Sequence, residues 1–316
     1  MKSYKVQNPI LIRFFNRPGK LKKLMKVIKK VRPSKLYILS DGPRNEQDIK
    51  LVDEARLIVS NIDWTCTVKK KFLKKNLGGP LAGYRGIRWF FNSVHQGIIL
   101  EDDNIPNISF FKFCDELLEY YKNDIRVGMI TGNNFQNGKC RGNSSYYFSK
   151  YIHCWGCASW RRSFSNWKLV PKEWLKIKQL LLKNDSYYDE HEKKYWEKIF
   201  YNLCSSKKIH WDYSLLLHFW RKKYLTITPN SNLVSNIGFG KDATNTKSKY
   251  SKFSNMKVNN IGKLKYPKMV TRNIEADKWT FDHHYGGKNL RFPYNWIIFP
   301  IRVLRYFYRK LKKLKI

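Results

Sequence analysis

The sequence lacks any long apolar run. No uninterrupted apolar stretch reaches the roughly 18 residues that a transmembrane helix requires. Near the N-terminus, the apolar segment from Pro9 to Phe15 is short and is interrupted by Arg13, so it does not have the pattern of a secretory signal peptide. We therefore expect a protein that is soluble or lies on a membrane surface.

Acidic residues are also scarce. The 316 residues include 24 Asp and Glu against 62 Lys and Arg, which gives a formal net charge of +38. A charge this large predicts a polyanionic partner, either nucleic acid, an acidic membrane or a phosphorylated substrate. Charge alone does not choose among them, because Lys, Asn, Ile and Tyr are all abundant and part of the excess reflects codon bias. A hydrophobic content of 42% excludes a disordered chain.

The usual cysteine and histidine motifs of metal and disulfide sites are missing. The six cysteines are scattered through apparently regular segments, which predicts reduced thiols in a cytoplasm. Cys154 and Cys157 have the spacing of a redox or zinc pair, but no second pair with zinc spacing follows. The seven histidines show no HExxH-type spacing. These patterns argue against a zinc centre and a small secreted domain.

Short apolar runs alternate with segments of helical periodicity. Strands are predicted at 9–12, 36–39, near 65–68, and at 97–100, 127–130 and 225–227. Helices are predicted at about 21–31, 48–61, 84–94, 110–122 and, as one charged stretch, 174–208. Alternation of this kind predicts an α/β fold with a mostly parallel sheet covered by helices on both faces.

Three consecutive acids follow the predicted strand at 97–100. Glu101, Asp102 and Asp103 would repel one another at the end of a buried strand unless a positive group lies beside them. A hard divalent cation, Mn²⁺ or Mg²⁺, with a diphosphate behind it fits these oxygen ligands. A solvated acidic turn is the alternative.

Two other polar residues follow neighbouring predicted strands. Arg17 comes after the first strand and Asp41 after the second. Ligands of open α/β sheets bind beyond the carboxyl ends of the strands, so one crevice could hold Arg17, Asp41 and Asp103 together.

The order of these motifs is similar to that of a known family. The chain resembles bacterial nucleotide-diphospho-sugar transferases related to N-acetylglucosaminyltransferase I, which have the GT-A (Rossmann-like) fold. The resemblance covers about residues 8 to 245. It is carried by four motifs in order: Ile12–Pro18, Ile38–Gly42, Ile98–Asp103 with Phe110-Phe111 following, and Trp211-Asp212.

The resemblance implies a role for each matching residue. Glu101-Asp102-Asp103 corresponds to the DXD-type motif, in which Asp103 ligates manganese held by the donor diphosphate while Glu101 and Asp102 face the ribose and the sugar. Arg17 and Asp41 correspond to positions that contact the nucleotide base region, and a UDP-sugar is the donor that the family favours. Residues of the segment 232–240 correspond to a loop that closes over the bound donor: Asn232, Ser235, Asn236, Gly238 and Phe239.

Asp212 corresponds to the catalytic base of the family. The family has a second acid directly after its base, whereas this chain has Tyr213. An Asp at this place is also a favoured N-cap for the apolar segment that ends at Trp220, and both roles can hold together. Arg17 could instead pair with a surface acid, and Asp41 could stabilise the turn at Gly42-Pro43.

The C-terminal region has a different character. We predict a catalytic domain at 1–250, with a nucleotide-sugar half at about 1–135 and an acceptor half at about 136–250, followed by a basic linker and membrane-associating segment at 251–316. Nine Lys or Arg and no acid follow Asp282, mixed with apolar residues. Such a basic amphipathic tail is typical of a helix lying on an anionic bilayer, although it could equally pack on the domain.

Together these features predict a metal-dependent, inverting glycosyltransferase. A nucleotide-sugar would be the donor, and the acceptor would be a lipid-linked or oligosaccharide precursor of lipopolysaccharide, capsule or a similar glycan. The expected location is the bacterial cytoplasm, at the inner face of the cytoplasmic membrane. The rival prediction is a basic nucleic-acid-binding protein, although no DNA- or RNA-reading motif is evident. A nucleotidyltransferase would share the strand-end acids, but 16–19 matches its Gly-rich loop poorly.

Overall fold

A central mixed sheet organises the chain. The computed structural model describes residues 4–240, 243, 248, 250–297, 300, 303–304 and 307. Its large sheet is formed by β1 (Ile10–Phe14), β2 (Lys35–Ser40), β3 (Thr67–Phe72), β4 (Gln96–Glu101), β6 (Val127–Thr131), β7 (Tyr146–Ser149), β8 (Cys157–Trp160) and β9 (Leu225–Pro229). A small second sheet pairs β5 (Asn104–Pro106) with β10 (Val234–Asn236).

The strand order of the large sheet is β3-β2-β1-β4-β8-β6-β9-β7. All strands except β7 and β8 run in the same direction. The predicted mostly parallel α/β sheet is therefore confirmed. From β1 the chain builds outwards to β2 and β3, and then returns to place β4 on the other side of β1.

Helices cover both faces of this sheet. They are α1 (Pro18–Val31), α2 (Glu46–Ile58), α3 (Gly78–Ser93), α4 (Ile108–Tyr120), α5 (Trp174–Lys183), α6 (Glu190–Cys204), α7 (Trp211–Lys222) and α8 (Ile274–His283). Alternate residues of β1 belong to different cores: Ile10 and Ile12 pack with α1 and α4, whereas Leu11 packs with α3 and α7. This two-residue period is what a strand buried on both faces requires.

Most predicted elements are present, and the differences have local causes. The third strand was expected near 65–68 but lies at Thr67–Phe72, where Lys69, Lys70 and Lys71 are exposed on the end strand of the sheet. The predicted strand overlaps the observed one only at residues 67–68, because an exposed end strand needs no apolar run to mark its bounds. The strands β7 and β8 were not predicted.

Two helix predictions also need correction. The single helix expected over 174–208 is two helices, α5 and α6, separated by a break in which Asp185 has a φ of 50° and Asp189 caps the second helix. The helix expected from Tyr84 begins earlier, at Gly78, because Pro80 is tolerated in a first helical turn.

The prediction of a basic linker after residue 250 is wrong for residues 264–290, which pack on the rest of the protein. Leu264 is buried in one core, and Phe281 of α8 is buried in the other. Asp277 of α8 is also buried, and it accepts hydrogen bonds from Ser149 and Arg272. Residues 264–290 thus contribute to the body of the protein, while the functional division at residue 250 stays a prediction.

Much of the predicted basic tail lies outside the described residues. Its described part exposes large apolar side chains, namely Phe292, Trp296, Ile297 and Leu304. Within the described residues, no helix has both the length and the apolar character needed to cross a bilayer.

Candidate active site

The sheet places a cavity at the point where the strand order reverses. The cavity has a volume of about 390 Å³ and lies beyond the carboxyl ends of β1, β2 and β4. Such crevices are the usual ligand sites of open α/β sheets. The predicted donor-binding residues all border it: Arg17, Asp41, Glu101, Asp102 and Asp103.

Arg17 holds two of the three acids. It lies between β1 and α1, where its Nη2 and Nε atoms pair with the carboxylate of Asp102 and its Nη1 atom lies 2.8 Å from Oδ2 of Asp103. Burial lowers the pKa of Arg17, but the two carboxylates outweigh it, so the pKa is raised and the guanidinium stays charged. Arg17 thus pairs with the acids of the site rather than with a surface acid.

The three acids outnumber the two arginines that pair with them. Burial raises the pKa of Asp102 to about 7, against the opposing effect of Arg17. Burial also raises the pKa of Glu101, whose Oε1 atom lies 3.1 Å from Nη2 of Arg13 on the adjacent strand. With Asp103, three carboxylates face two guanidinium groups, so a further cation would be favourable here.

This donor set fits a divalent cation held jointly with a diphosphate. Asp103 borders the cavity, and Mg²⁺ or Mn²⁺ sites commonly use one or two carboxylates with phosphate oxygens completing the shell. Among the described residues, no group of three or more His, Cys, Asp or Glu side chains could hold a metal by itself. The protein side of such a site therefore depends on Asp103, with phosphate supplying the remaining oxygens.

Asp41 also borders this cavity, and its carboxylate stabilises the local backbone. Its Oδ1 atom accepts hydrogen bonds from the backbone N–H groups of Gly42 and Leu77, and its Oδ2 atom accepts one from Gly78. The carboxylate thereby joins the end of β2 to the start of α3. The expected contact with a nucleotide base stays a prediction, and the expected turn-stabilising role is present.

The predicted closing loop is partly a strand. Asn236 of β10 pairs with Asn104 of β5, and its Nδ2 atom donates to Oδ1 of Asp103. Gly238 approaches so closely that a Cβ atom there would lie 2.1 Å from Oδ2 of Asp103. Asn236, Gly238 and Phe239 border the cavity.

The other two residues assigned to this loop do not border the cavity. Asn232 is buried, where it accepts from the N–H of Asn134 and donates to the carbonyls of Val234 and Lys257. Ser235 pairs with Ile105 in the small sheet. Movement of this loop stays a prediction.

Asp212 borders a second cavity beside the first. It lies in the first turn of α7, whose N-cap is His210, so Asp212 is not the predicted N-cap itself. Its Oδ1 atom accepts from the N–H of Tyr213, and burial raises the pKa of the carboxyl group. The second cavity has a volume of about 320 Å³ and shares Trp155 and Phe239 with the first.

Arg13 borders the site as well, although it was not among the predicted site residues. Arg13 interrupts the apolar first strand, and its side chain is buried between Glu101 and the ring of Trp211, 4.7 Å from the ring centroid. Its Nη1 atom is buried without a hydrogen-bond partner, and the residue borders the first cavity. A cation in a buried strand is costly without a ligand or partner, which identifies Arg13 as a further candidate site residue.

Comparisons with known proteins add little to this geometry. No protein-family model matches the sequence, and no curated protein matches it significantly. Among solved structures, HddC from Yersinia pseudotuberculosis matches with 9% identity and a TM-score of 0.32 over 50% of this chain and 78% of that one. An active-site mutant of LgtC matches with 9% identity and a TM-score of 0.36 over 67% and 70% of the two chains. Xyloside xylosyltransferase 1 from mouse matches with 11% identity and a TM-score of 0.34 over 69% and 80%. At these TM-scores the matches carry no weight for function.

Proposed function

We propose that this protein is a glycosyltransferase of the GT-A fold. It would transfer a sugar from a nucleotide-diphosphate sugar, with a UDP-sugar as the expected donor, to a hydroxyl group of an acceptor glycan. The observation that carries the proposal is the convergence of Glu101, Asp102, Asp103 and Arg17 on one cavity at the reversal of strand order. A carboxylate on the neighbouring cavity, Asp212, supplies the second chemical group that the reaction needs.

The proposed reaction is a single displacement. The oxygen of the acceptor hydroxyl forms a bond to the anomeric carbon while the bond from that carbon to the diphosphate oxygen breaks. The nucleoside diphosphate leaves with the electron pair, and Asp212 takes the hydroxyl proton. Burial raises the pKa of Asp212, which makes its carboxylate a stronger base than that of a free aspartate, and one base opposite the leaving group implies inversion. Mn²⁺ or Mg²⁺ held by Asp103 would neutralise charge on the departing diphosphate.

We also propose that the acceptor is a lipid-linked or oligosaccharide precursor of a cell-surface glycan, such as lipopolysaccharide or capsule. The protein would work at the cytoplasmic face of a bacterial membrane. Nine Lys or Arg after Asp282 support attraction to anionic lipid. Exposed fractions of 76% for Phe292 and 75% for Trp296 support contact with a bilayer surface over packing on the domain.

A screen of sugar nucleotides with Mn²⁺ tests the proposal. We expect at least one donor to release its nucleoside diphosphate, and we expect EDTA or Asp103→Asn to reduce the rate by roughly 10²-fold or more. Asp212→Asn should lower kcat for transfer by roughly 10²–10⁴-fold while leaving the affinity for UDP unchanged. Asp53→Asn, on the exposed face of α2, is the matched control. Failure of every donor, or full activity in Asp103→Asn, would contradict the proposal.

The rival nucleic-acid-binding function makes a different prediction. A protein that neutralises many phosphates would bind DNA or RNA with an affinity that falls steeply as salt is raised. Tight binding with this salt dependence, together with no donor cleavage, would favour the rival.

A further inference from the structure

The second cavity differs in chemistry from the first. Its wall is largely a set of aromatic rings: Phe135, His153, Trp155, Tyr213, Phe239, Phe253, His284 and Tyr285. These rings pack on one another, for example Phe135 stacked on His284 at 4.2 Å between centroids and Trp155 edge-on to Phe239 at 5.7 Å. A cavity lined by rings with a few polar groups is typical of a small-molecule site.

The two cavities differ in the charged residues that border them. Arg13, Arg17 and Arg44 border the first cavity together with the acids Asp41, Glu101, Asp102 and Asp103. Among the described residues that border the second cavity there is no Lys or Arg, and Asp212 is its one acid. Lys252 lies nearby, but its Nζ atom donates to the carbonyl of His283. In a chain with a net charge of +38, a wall without cations disfavours an anionic ligand.

His284 gives the cavity an unused polar group. The residue follows α8, and its Nδ1 atom is buried without a hydrogen-bond partner. Burial lowers the pKa of His284 to about 4, so the ring is neutral near pH 7. A buried polar atom without a partner costs free energy, and because His284 borders the cavity, a ligand hydroxyl that reached Nδ1 would satisfy it.

We propose that this aromatic cavity is the acceptor subsite and that it takes an uncharged pyranose residue. The C–H face of a pyranose packs on aromatic rings, and its hydroxyls suit His284 and Ser251. The cavity borders Asp212, the proposed base, whereas the acids proposed to hold the donor border the first cavity, so a hydroxyl of the bound sugar could reach the base. The inference rests on the proposed function, and it adds the class of acceptor and the residues that recognise it.

Binding of simple glycosides to the intact protein without donor tests this subsite. The probes are methyl pyranosides of glucose, galactose, mannose and N-acetylglucosamine, with methyl glucuronide as the charged comparison, followed by saturation-transfer NMR. We expect at least one neutral glycoside to bind, with its ring protons closest to the protein. UDP with Mn²⁺, which would occupy the first cavity, should leave this binding in place.

Variants of two neighbouring histidines show whether the glycoside binds in this cavity. His284→Ala should weaken it at least about tenfold, whereas the neighbouring His283→Ala, which does not border the cavity, should leave it unchanged. Ser251→Phe fills the cavity from the side of its loop and should abolish glycoside binding. This variant tests the proposal if His284→Ala fails to fold. Preference for the glucuronide, displacement by UDP with Mn²⁺, binding that survives Ser251→Phe, or no binding by any glycoside would overturn the proposal.

The two proposals can fail separately. Donor cleavage is measured without glycoside, and glycoside binding is measured without donor. Donor cleavage with no glycoside binding would remove only the acceptor subsite. Glycoside binding with no donor cleaved would remove the transferase function and leave a carbohydrate-binding cavity.

Discussion

Asp41 binds three backbone N–H groups at once, at the junction of β2 and α3. We expect Asp41→Ala to lower the free energy of unfolding by about 3 kcal/mol, because buried amides are left without acceptors. Urea denaturation measures the change. Asp53→Ala, on the exposed face of α2, should change stability by less than about 0.5 kcal/mol. Equal stability of the two variants would show that these bonds contribute little.

The candidate site was predictable at the residue level where charge conflicts with burial. Glu101, Asp102 and Asp103 follow an apolar strand, so the sequence alone indicated a compensating cation. The direct ion pair of Arg17 with Asp102 was not predicted, although both residues were expected at the same edge of the sheet, because they are 85 positions apart in the sequence. Asn232 could not be assigned either, since an amide that caps loop carbonyls and one that touches a ligand look alike in a sequence.

At the scale of elements, α3 depends on a glycine for its approach to β1 and α7. A Cβ atom at Gly83 would lie 2.8 Å from Nη2 of Arg13 and 2.9 Å from the Trp211 ring. We expect Gly83→Ala to displace both side chains and to lower donor cleavage at least about tenfold. Gly19→Ala in α1, where the added atom meets nothing within 4 Å, is the control and should keep full activity. A fully active Gly83→Ala would mean that the site does not depend on the close approach of α3 at this position.

The C-terminal elements can be separated by truncation. A chain that ends after Arg291 keeps α8, whereas one that ends after Lys263 loses Leu264, Phe281 and the buried Asp277. We expect the first to fold with nearly unchanged stability, and the second to lose at least about 5 kcal/mol through its exposed core. Thermal and urea unfolding measure this. Similar stability of the two truncated chains would support the prediction that the segment after residue 250 is only a linker.

Element α8 could not be found from the sequence, and the reason is physical. Its buried face includes the polar residues Asp277 and Thr280 beside Ala276 and Phe281, so no apolar stripe marks it. Strands β1, β2 and β4 were found because they are apolar on both faces. One helix was predicted over 174–208, where the structure has two. The break between α5 and α6 could not be predicted, because both helices are charged and no Gly or Pro separates them.

At the scale of the whole molecule, buried histidines link stability to pH. Burial lowers the pKa of His218 to about 4, although its Nε2 atom contacts the carbonyl of Ser163. The unfolded chain, with a histidine pKa near 6.5, binds this proton first, so the stability is lost as pH falls from about 6.5 to about 4. Buried acids with raised pKa values, such as Asp102, act in the opposite direction.

The prediction therefore concerns the difference between two proteins. His218→Gln keeps a donor for Ser163 but cannot be protonated. Over the window from pH 6.5 to 4, its free energy of unfolding should fall less steeply than that of the natural chain, by up to about 1.4 kcal/mol per pH unit. Urea denaturation at several pH values measures the slopes, and identical slopes would mean that His218 has the same pKa in the folded and the unfolded chain.

The end strand β3 has a consequence for how copies of this protein meet. Its three consecutive exposed lysines lie along an open row of backbone hydrogen-bonding groups. A second molecule offering the same edge would bring like charges face to face, so sheet-to-sheet growth into fibrils is opposed electrostatically. Part of the lysine excess thus keeps the protein soluble. A polyanionic partner is not needed to explain these lysines.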